Sequence, residues 1–306
     1  MPESGTGIPR ADTREILLQL QSDIRAIAAT VADIRSLVGP FGALLPDGNM
    51  LVQTLFGNKY IIDPLDLIIA PNLIVYRQWE AELSAFFNMA LTPDTVFVDV
   101  GANFGYFTCL AGSRIGLSGT GRVFAIEPNP KCAELLRKNV LINWSMCPVE
   151  VFQNAVAERE CTLELIVPKN RAANAHLGPS GDRPLEPDQD IFEVSVRPLD
   201  SIIPEGKVVD LMKIDVEGHE FAALSGARAV ISRSPDIRIV MEWSPGQMKN
   251  AGYTAVRVYE LLRELDLRAY RLPSGGSFDG AGASEKISVS DLSAMSYDNI
   301  LLTRRK

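Results

Sequence analysis

The sequence predicts an α/β protein with a doubly wound, mostly parallel sheet, preceded by a long N-terminal helix. Apolar runs of strand length recur between residues 95 and 244, and most of them are separated by segments with helical spacing. Strands that are apolar on both faces and alternate with helices are typical of parallel sheets with right-handed crossovers. A heptad pattern between Arg14 and Val38 predicts the preceding helix.

The heptad pattern places apolar residues at a spacing of three and four. The a positions are Leu17, Ile24, Val31 and Val38, and the d positions are Leu20, Ile27 and Ile34. Such residues favour two- or three-stranded coiled coils, and isoleucine at both positions favours three. We therefore expect self-association through residues 14–38, as a dimer or a trimer. The alternative is an amphipathic helix that folds back on its own domain.

The remaining elements follow in order. Residues 50–63 predict two short strands joined by a Gly57-Asn58 turn, and a helix is expected over residues 78–91. The five sheet strands are "TVFVDVG", "GRVFAIEP", "VEVFQNA", "VDLMKIDVEG" and "DIRIVMEWSP", with "NPKCAELLRKNVLIN" and "HEFAALSGARAVISR" as helices. A β-hairpin insertion is predicted near residues 161–198. A helix and strand in "RVYELLRELDLRAYRL", the loop "SGGSFDGAGAS" and a last strand in "SYDNILLTRR" complete the chain. The expected domains are residues 1–45 for oligomerisation and residues 46–306 for catalysis.

The composition excludes several classes of function. The chain has 306 residues, 46% hydrophobic content and a net charge of −8, which disfavours nucleic acid as a partner. Its apolar runs fall short of the roughly 20 residues that span a bilayer, and its first residues lack the layout of a secretion signal. We therefore expect a cytoplasmic protein without a membrane span. The four cysteines form no C-x-x-C pair, which predicts reduced thiols.

A glycine loop follows the first sheet strand in "DVGANFG". A dinucleotide fingerprint has a middle glycine that admits a pyrophosphate, whereas this loop has Asn103 there and Tyr106 at the third glycine position. Glu127 ends the next strand, where a carboxylate can accept hydrogen bonds from both hydroxyls of a ribose. A ribose without a pyrophosphate fits S-adenosylmethionine, and a nicotinamide cofactor is disfavoured. The alternative is a glycine kept for a tight turn and a glutamate that faces solvent.

Together with "KIDVEGHE" at residues 213–220, these motifs resemble the FkbM-type methyltransferases, which depend on S-adenosylmethionine and have the class I methyltransferase fold. "VFVDVGANFGYFT", "VFAIEPNP", "NAVAE", "LMKIDVEGHE" and "VMEWSP" stand in the family's order, over roughly residues 57–303. The resemblance implies a seven-stranded sheet with an antiparallel last strand. It also implies O-methylation of a hydroxyl on a sugar, glycan, glycolipid or polyketide-type natural product.

The resemblance also implies the cofactor site. The implied loop residues around the methionine part and the sugar are Asp99, Gly101, Ala102, Asn103, Gly105 and Tyr106. Glu127 would hold the ribose, Asn154 and Ala155 would bound the adenine, and Glu80 would lie near the cofactor. A surface charge is the alternative for Glu80.

The catalytic candidates follow the fourth and fifth sheet strands. Methyl transfer needs an acceptor oxygen aligned with the methyl group and a group that takes up a proton. Asp215 is the preferred contact for the methionine end or the preferred base, since a carboxylate complements the positive sulfonium. Glu217 and His219 would face substrate hydroxyls, with His219 a second candidate base, and Glu242 would hydrogen-bond the acceptor.

Each of these assignments has an alternative. Asp215, Glu217 and Glu242 could hold a divalent cation, but spacing alone does not bring them together, so we expect direct hydrogen bonding and no metal. Glu220 fits the first turn of a helix, and Lys213 fits a pair with a carboxylate.

The acceptor site is expected between the residue 50–63 hairpin and the insertion, which holds Arg171, Asn174, His176 and Arg183. A non-catalytic coiled-coil assembly module that keeps the fold is the alternative function.

Overall fold

The computed structural model describes residues 13–37, 42–178, 188–272 and 285–304. The predictions made for Val38, for Arg183 and for the 274–284 loop lie outside these residues. The chain divides into two compact units, Met1–Phe41 and Gly42–Lys306. Among the described residues, no helix is both long enough and apolar enough to cross a bilayer.

The first unit contains helix α1 (Thr13–Leu37), which confirms the predicted helix. Its described a and d side chains are solvent-exposed, namely Leu17, Leu20, Ile24, Ile27 and Val31, with Ile24 at 61% and Ile27 at 63% of full exposure. This exposure is unusual for large aliphatic side chains placed along one stripe of a helix. The assembly of this helix into a coiled coil stays a prediction.

The second unit begins with a small antiparallel sheet and two helices. The elements are β1 (Gly42–Leu44), β2 (Met50–Gln53), β3 (Lys59–Ile62), α2 (Ile69–Val75) and α3 (Ala81–Ala90).

The remaining elements alternate between strand and helix. In chain order they are β4 (Val96–Val100), α4 (Tyr106–Ile115), β5 (Arg122–Ile126), α5 (Pro130–Ile142), β6 (Val149–Phe152), β7 (Ala155–Val156), β8 (Cys161–Pro168), a 3₁₀ turn (Ala172–Asn174), β9 (His176–Gly178), β10 (Gln189–Arg197), α6 (Leu199–Ile202), β11 (Leu211–Ile214), α7 (Glu220–Ser225), α8 (Arg228–Arg233), β12 (Arg238–Trp243), α9 (Pro245–Asn250), α10 (Ala255–Glu264), β13 (Leu267–Arg271), α11 (Val289–Ala294) and β14 (Asp298–Arg304).

The central sheet has seven strands in the order β13-β14-β12-β11-β4-β5-β6. The strands from β12 to β6 pair in parallel, and β14 runs antiparallel to both β12 and β13. This confirms the predicted mostly parallel sheet with an antiparallel last strand. Strand order reverses between β4 and β11, which is where ligands bind in doubly wound sheets.

Both faces of this sheet are covered. In β4, Phe97 packs into the apolar cluster formed with α3 and α4, whereas Val98 and Val100 pack into the opposite cluster with α7, α8 and α10. The continuous apolar runs of the sequence therefore have a direct cause, because alternate side chains of each strand enter different cores.

The insertion is larger than the predicted hairpin. Strands β7, β10, β8 and β9 form a separate four-stranded sheet, in which β8 and β10 are the expected antiparallel pair. Leu165, Val194 and Val196 are buried in a small core of its own.

The turn between β2 and β3 differs from the predicted two-residue turn. Its closing pair is Thr54 and Asn58, and the loop residues are 55–57, with Gly57 in the left-handed conformation at φ +89°. This is the three-residue hairpin loop that ends on a left-handed glycine.

Two predicted helices also differ from the structure. Helix α3 begins at Ala81 instead of residue 78, because Glu80 has a left-handed backbone with φ +43°. The residue 219–233 segment forms two helices, α7 and α8. The helix breaks at Gly226, where an added Cβ would lie 2.3 Å from the Ala157 carbonyl oxygen. Neither α2 nor β1 was predicted.

Candidate active site

A cavity of about 290 Å³ opens at the carboxyl ends of β4, β5, β11 and β12. Its volume is near the lower end of the usual range for small-molecule pockets, about 300–1,000 Å³. Its walls include the loop after β4, the end of β5, the segment after β11 and the start of α9.

Two glycines shape the loop after β4. Gly101 has φ +81°, and a Cβ added there would lie 1.8 Å from the Asp215 carbonyl oxygen. Gly105 has φ +93°, and its added Cβ would lie 2.4 Å from Leu136 Cδ1. Both positions therefore need glycine for the left-handed backbone and for close packing. Gly101, Ala102, Asn103 and Tyr106 line the cavity, whereas Gly105 does not, and their contact with a cofactor stays a prediction.

Glu127 is tied to this loop. The Asn103 backbone N–H donates to Glu127 Oε2 at 2.7 Å, and the Asn129 N–H donates to Oε1 at 2.8 Å. Burial raises the pKa of Glu127 to about 7, although these two donors act to lower it. Each carboxylate oxygen can accept more than one hydrogen bond, so both remain able to accept from a ligand in the cavity. Glu127 is 6% exposed, which contradicts the alternative of a solvent-facing glutamate.

Asp99 lies beneath the cavity, apart from the residues that line it. It is fully buried, and its Oδ2 accepts a hydrogen bond from Thr108 Oγ1 at 2.6 Å. Burial raises its pKa, against the opposing charge of Lys213, its register partner on β11. The expectation of a direct cofactor contact is therefore corrected, because the Asp99 side chain points into the core below the loop.

Tyr106 and Glu80 form the wall on the α3 side. Ser84 Oγ donates to the Tyr106 hydroxyl at 3.0 Å, and the Tyr60 hydroxyl donates to the Tyr106 carbonyl at 2.9 Å. Burial and the charge of Asp215 raise the pKa of Glu80 to about 7. Glu80 lines the cavity, so it is not the surface charge considered as the alternative.

Asn154 and Ala155 line the opposite side of the cavity. They follow β6, which ends at Phe152, and Ala155 begins β7. Their contact with an adenine stays a prediction.

The small N-terminal sheet is held over the loop by two asparagines of α5. The Asn139 amide bonds the backbone of Ile61 and also donates to the Phe104 carbonyl at 2.8 Å. Asn143 forms the C-cap of α5, and its amide bonds both backbone groups of Lys59. Asn139 therefore packs the small sheet against the loop, and Asn143 caps α5.

An acidic cluster stands at the far end of the cavity. One carboxylate oxygen from each of Asp215, Glu217 and Glu242 lies within 4.8 Å of the others. Burial, followed by the charges of Asp215 and Glu220, raises the pKa of Glu217 to about 8. Burial and the charges of Asp215 and Glu217 also raise the pKa of Glu242. The structure thus brings together three side chains that sequence spacing left apart.

Lys213 lies beside this cluster. Its Nζ is 2.8 Å from Asp215 Oδ2 and 5.3 Å from the centre of the Phe107 ring. Burial acts to lower the pKa of Lys213, but the charges of Asp215, Asp99 and Glu80 raise it above the usual range. The predicted pairing of Lys213 with a carboxylate is present.

His219 lines the cavity, and burial lowers its pKa to about 4. It is therefore neutral at pH 7, and the lowered pKa makes it a weaker proton acceptor than a free imidazole. Its Nδ1 has no hydrogen-bond partner among the described residues. Glu220 begins α7 as predicted, and its Oε1 accepts from the Val216 and Gly218 N–H groups.

Among the cavity residues that the sequence analysis missed, two hydrogen-bond the acidic cluster. Gln247 donates from Nε2 to Glu217 Oε2, and Tyr297 hydrogen-bonds Glu242. Both follow from strand order, because Gln247 lies just after β12, and Tyr297 precedes β14, which pairs with β12 so that Asp298 lies opposite Trp243.

On the insertion side, Asn174 lines the cavity, whereas Arg171 and His176 do not. Sequence reasoning could not separate these three residues, since all lie within one loop and a short strand.

A doubly wound sheet with a glycine loop at its switch point and a carboxylate at the end of the next strand is typical of α/β proteins that bind a nucleoside or nucleotide. The chain belongs to the FkbM methyltransferase family, because the family described as the methyltransferase FkbM domain matches residues 99–272, more than half of its 306 residues.

Comparisons with individual proteins give more distant matches. The methyltransferase sdnD of Sordaria araneosa is 27% identical over an alignment of 167 residues, and the match covers 46% of this chain and 63% of that protein. The chain thus spans less than two thirds of the length of this curated relative.

Two solved structures are distantly similar to the chain. The P. horikoshii TYW2 structure in complex with MeSAdo is 14% identical and has a TM-score of 0.42, covering 83% of this chain and 70% of that one. The M. jannaschii TYW2 structure in complex with AdoMet is 11% identical with a TM-score of 0.40, covering 83% and 84%. The strand order and the family match define the fold independently of these two structures.

Proposed function

We propose that the protein is an S-adenosylmethionine-dependent O-methyltransferase that acts on a hydroxyl of a sugar, glycan, glycolipid or polyketide-type natural product. The observation that carries the proposal is the Glu127 carboxylate. It stands at the cavity wall, is oriented by the Asn103 and Asn129 N–H groups, and keeps acceptor capacity on both oxygens.

The cavity residues fit this cofactor. A nucleoside sugar needs a buried acceptor pair for its two hydroxyls, which Glu127 offers. A sulfonium needs negative charge nearby, which Asp215 offers from the other side of the glycine loop. The loop has Asn103 at the middle position, where a pyrophosphate would need glycine, and Tyr106 at the third glycine position of the fingerprint. The fit to a dinucleotide is therefore poor.

When bound, S-adenosylmethionine would supply an electrophilic methyl group. The acceptor oxygen would form a bond to the methyl carbon as the sulfur–carbon bond breaks, which leaves neutral S-adenosylhomocysteine and releases the hydroxyl proton. His219, neutral because its pKa is about 4, and Asp215 are the two cavity groups that can take this proton.

Glu217 and Glu242 would orient the acceptor. Their raised pKa values leave them protonated at neutral pH when no cation is nearby, so they can donate hydrogen bonds to acceptor oxygens. Asn174 would contact the acceptor from the insertion side.

Self-association through α1 forms part of the proposal. The exposed stripe of Leu17, Leu20, Ile24, Ile27 and Val31 has the spacing of a coiled-coil seam. A dimer or trimer would hold several active sites on one assembly, which would raise the effective concentration of a repeating acceptor.

The cofactor is tested by calorimetry with S-adenosylhomocysteine in the presence of EDTA. We expect one site per chain, with affinity reduced about tenfold or more in Glu127→Gln, which loses one hydrogen-bond acceptor oxygen. The control Glu205→Gln changes an exposed glutamate outside the cavity and should bind as the unmodified protein does.

Two results would contradict the proposal. No heat with S-adenosylhomocysteine would favour the assembly module, and displacement of the ligand by NADH would favour a nicotinamide enzyme. Transfer of a labelled methyl group to a panel of neutral glycans and polyketides then tests the acceptor class.

A further inference from the structure

Three carboxylates from different parts of the chain converge in the cavity. Asp215 and Glu217 follow β11, Glu242 lies on β12, and one oxygen of each lies within 4.8 Å of the other two. Two oxygens bound to opposite sides of one calcium ion lie about 4.8 Å apart, and two bound to opposite sides of one magnesium ion lie about 4.2 Å apart. Other pairs of ligand oxygens on the same ion lie closer together. One divalent ion can therefore contact all three side chains with small side-chain adjustments.

A second observation points to a ligand at this place. Glu242 is only 6% exposed, and its Oε2 has no hydrogen-bond partner among the described residues. Burial of an unpaired carboxylate oxygen is costly. The hydrogen bond with Tyr297 leaves this oxygen unsatisfied and adds no positive charge.

The one cationic side chain described in the cavity wall, Lys213, does not pair with Glu217 or Glu242. Lys213 is the one lysine or arginine among the described residues that line the cavity, and its Nζ pairs with Asp215 Oδ2 at 2.8 Å. Lys213 also faces the buried Asp99 across the strand pair. Gln247 donates to Glu217, but an amide is neutral. No cationic side chain of the described chain therefore pairs with Glu217 or Glu242.

The neighbouring contacts suit metal ligands. The Gln247 amide orients Glu217, and Lys213 orients Asp215, as partners that hold ligand side chains commonly do. Glu217 itself has φ +53°, a backbone conformation that is costly for a glutamate and turns this residue out of the strand direction. Oxygen-only ligands favour Mg²⁺, Mn²⁺ or Ca²⁺ over zinc.

We propose that Asp215, Glu217 and Glu242 bind a divalent cation of this class, and that the cation takes its remaining ligands from the acceptor. Three carboxylates leave positions of a six-coordinate ion open for other oxygens. An acceptor with two adjacent oxygen atoms, such as a vicinal diol, would occupy two of them. The role toward the acceptor rests on the proposed function, whereas the cation site itself does not.

The cation would supply part of the activation of the acceptor. A hydroxyl bound to a divalent ion loses its proton more readily. His219 would then need less basicity to take up that proton. The expectation of direct hydrogen bonding was based on the lack of evidence that the three side chains meet, and the structure supplies that evidence.

The site is tested by titration of the chelator-treated full chain with MnCl₂ and MgCl₂. Calorimetry gives the affinity, and electron paramagnetic resonance of Mn²⁺ gives the number of ions per chain. We expect one ion per chain, and a loss of affinity of about tenfold or more in both Glu217→Gln and Glu242→Gln. Glu205→Gln is the matched control and should bind Mn²⁺ unchanged.

Two outcomes overturn the cation site. These are absence of Mn²⁺ binding to the folded chain, and unchanged Mn²⁺ binding in both variants. Circular dichroism and the Tm of each variant establish that it is folded. S-adenosylhomocysteine titrated in EDTA keeps the two proposals apart. Cofactor binding without Mn²⁺ binding overturns the cation site alone, and Mn²⁺ binding without cofactor binding overturns the cofactor assignment alone.

Discussion

The buried Lys213 and the partly exposed Asp215 form an ion pair at the end of the central strand β11, with Nζ and Oδ2 2.8 Å apart. The Lys213 side chain is 4% exposed, and its β11 position faces Asp99 of β4. One ammonium therefore lies among three carboxylates, those of Asp215, Asp99 and Glu80, which raise its pKa. Lys213 therefore interacts both with Asp99 beneath the cavity and with Asp215 and Glu80, which line it.

Replacement of Lys213 by methionine should destabilise the fold. Methionine keeps most of the side-chain volume but leaves the carboxylates around it without their cation, and removal of one partner of a buried pair typically costs about 3–5 kcal/mol. Urea unfolding measures this loss. Lys169→Met, at a lysine that is 67% exposed, should change stability by less than about 1 kcal/mol. Equal effects of the two substitutions would contradict a buried electrostatic role.

Gly101→Ala should destabilise the fold far more than Gly57→Ala. Both glycines have positive φ, +81° and +89°, so both substitutions strain the backbone. At Gly101, the new Cβ would lie 1.8 Å from the Asp215 carbonyl oxygen, whereas nothing lies within 4 Å at Gly57. We expect Gly57→Ala to cost about 1 kcal/mol. Gly101→Ala should cost several times as much and weaken S-adenosylhomocysteine binding.

Thermal unfolding and ligand titration check this comparison. If Gly101→Ala proves too unstable to purify, the Tm of crude soluble protein relative to Gly57→Ala still reports the difference. A similar Tm for the two variants would mean that β4 and β11 do not approach as closely as the structure shows.

The sheet could be predicted from the sequence because its strands are buried on both faces. Phe97 enters one core and Val98 the other, so the apolar signal is continuous and separates strands from amphipathic helices. The glycine loop was predictable for a related reason. A Cβ at position 101 would lie 1.8 Å from the Asp215 carbonyl oxygen, so this position requires glycine. The close approach of the backbone is therefore marked by a glycine in the sequence.

The rest depended on long-range geometry. Asp99 stands in the loop motif, yet its side chain turns below the cavity to Thr108, and no local pattern distinguishes that from a wall position. The meeting of Glu217 with Glu242 depends on the pairing of β11 with β12. Glu80 has a left-handed backbone, and α3 begins only after it. Glutamate rarely adopts this conformation, so the sequence could not predict it.

The stability of the apo protein should depend on pH through Glu80. Its pKa is raised from 4.5 to about 7 in the folded state, so the folded state holds a proton that the unfolded state has released between these values. The stabilising contribution is complete below pH 4.5 and is lost as the pH rises through 7. Glu80→Gln keeps the shape but cannot ionise.

The measurement is the Tm of Glu80→Gln relative to the unmodified protein, from pH 5 to pH 8.5 with EDTA present. We expect the variant to gain relative stability as the pH rises, by an amount of the order of 2 kcal/mol, since one pKa unit corresponds to about 1.4 kcal/mol. The same comparison for the exposed Glu205→Gln should be flat. A flat curve for Glu80→Gln as well would show that Glu80 is ionised freely in the folded protein.

The last prediction concerns the assembly state and α1. Ile24 and Ile27 occupy adjacent a and d positions and are 61% and 63% exposed. Buried in a coiled-coil seam, each would contribute roughly 1.5–3 kcal/mol per chain, whereas aspartate there would place charges in the seam. Ile24→Asp/Ile27→Asp should therefore convert a dimer or trimer to monomer, as measured by size-exclusion chromatography with light scattering.

A matched control separates the seam from helix stability. Ser22 and Ala29 lie at f positions, opposite the seam, and Ser22→Asp/Ala29→Asp adds the same two charges to the same helix. This variant should keep the oligomer, because f positions face solvent in a coiled coil. S-adenosylhomocysteine affinity should be unchanged in both double variants, since the cavity residues all belong to the second unit. A monomeric unmodified protein, or loss of the oligomer in both variants, would show that the heptad stripe does not form the contact.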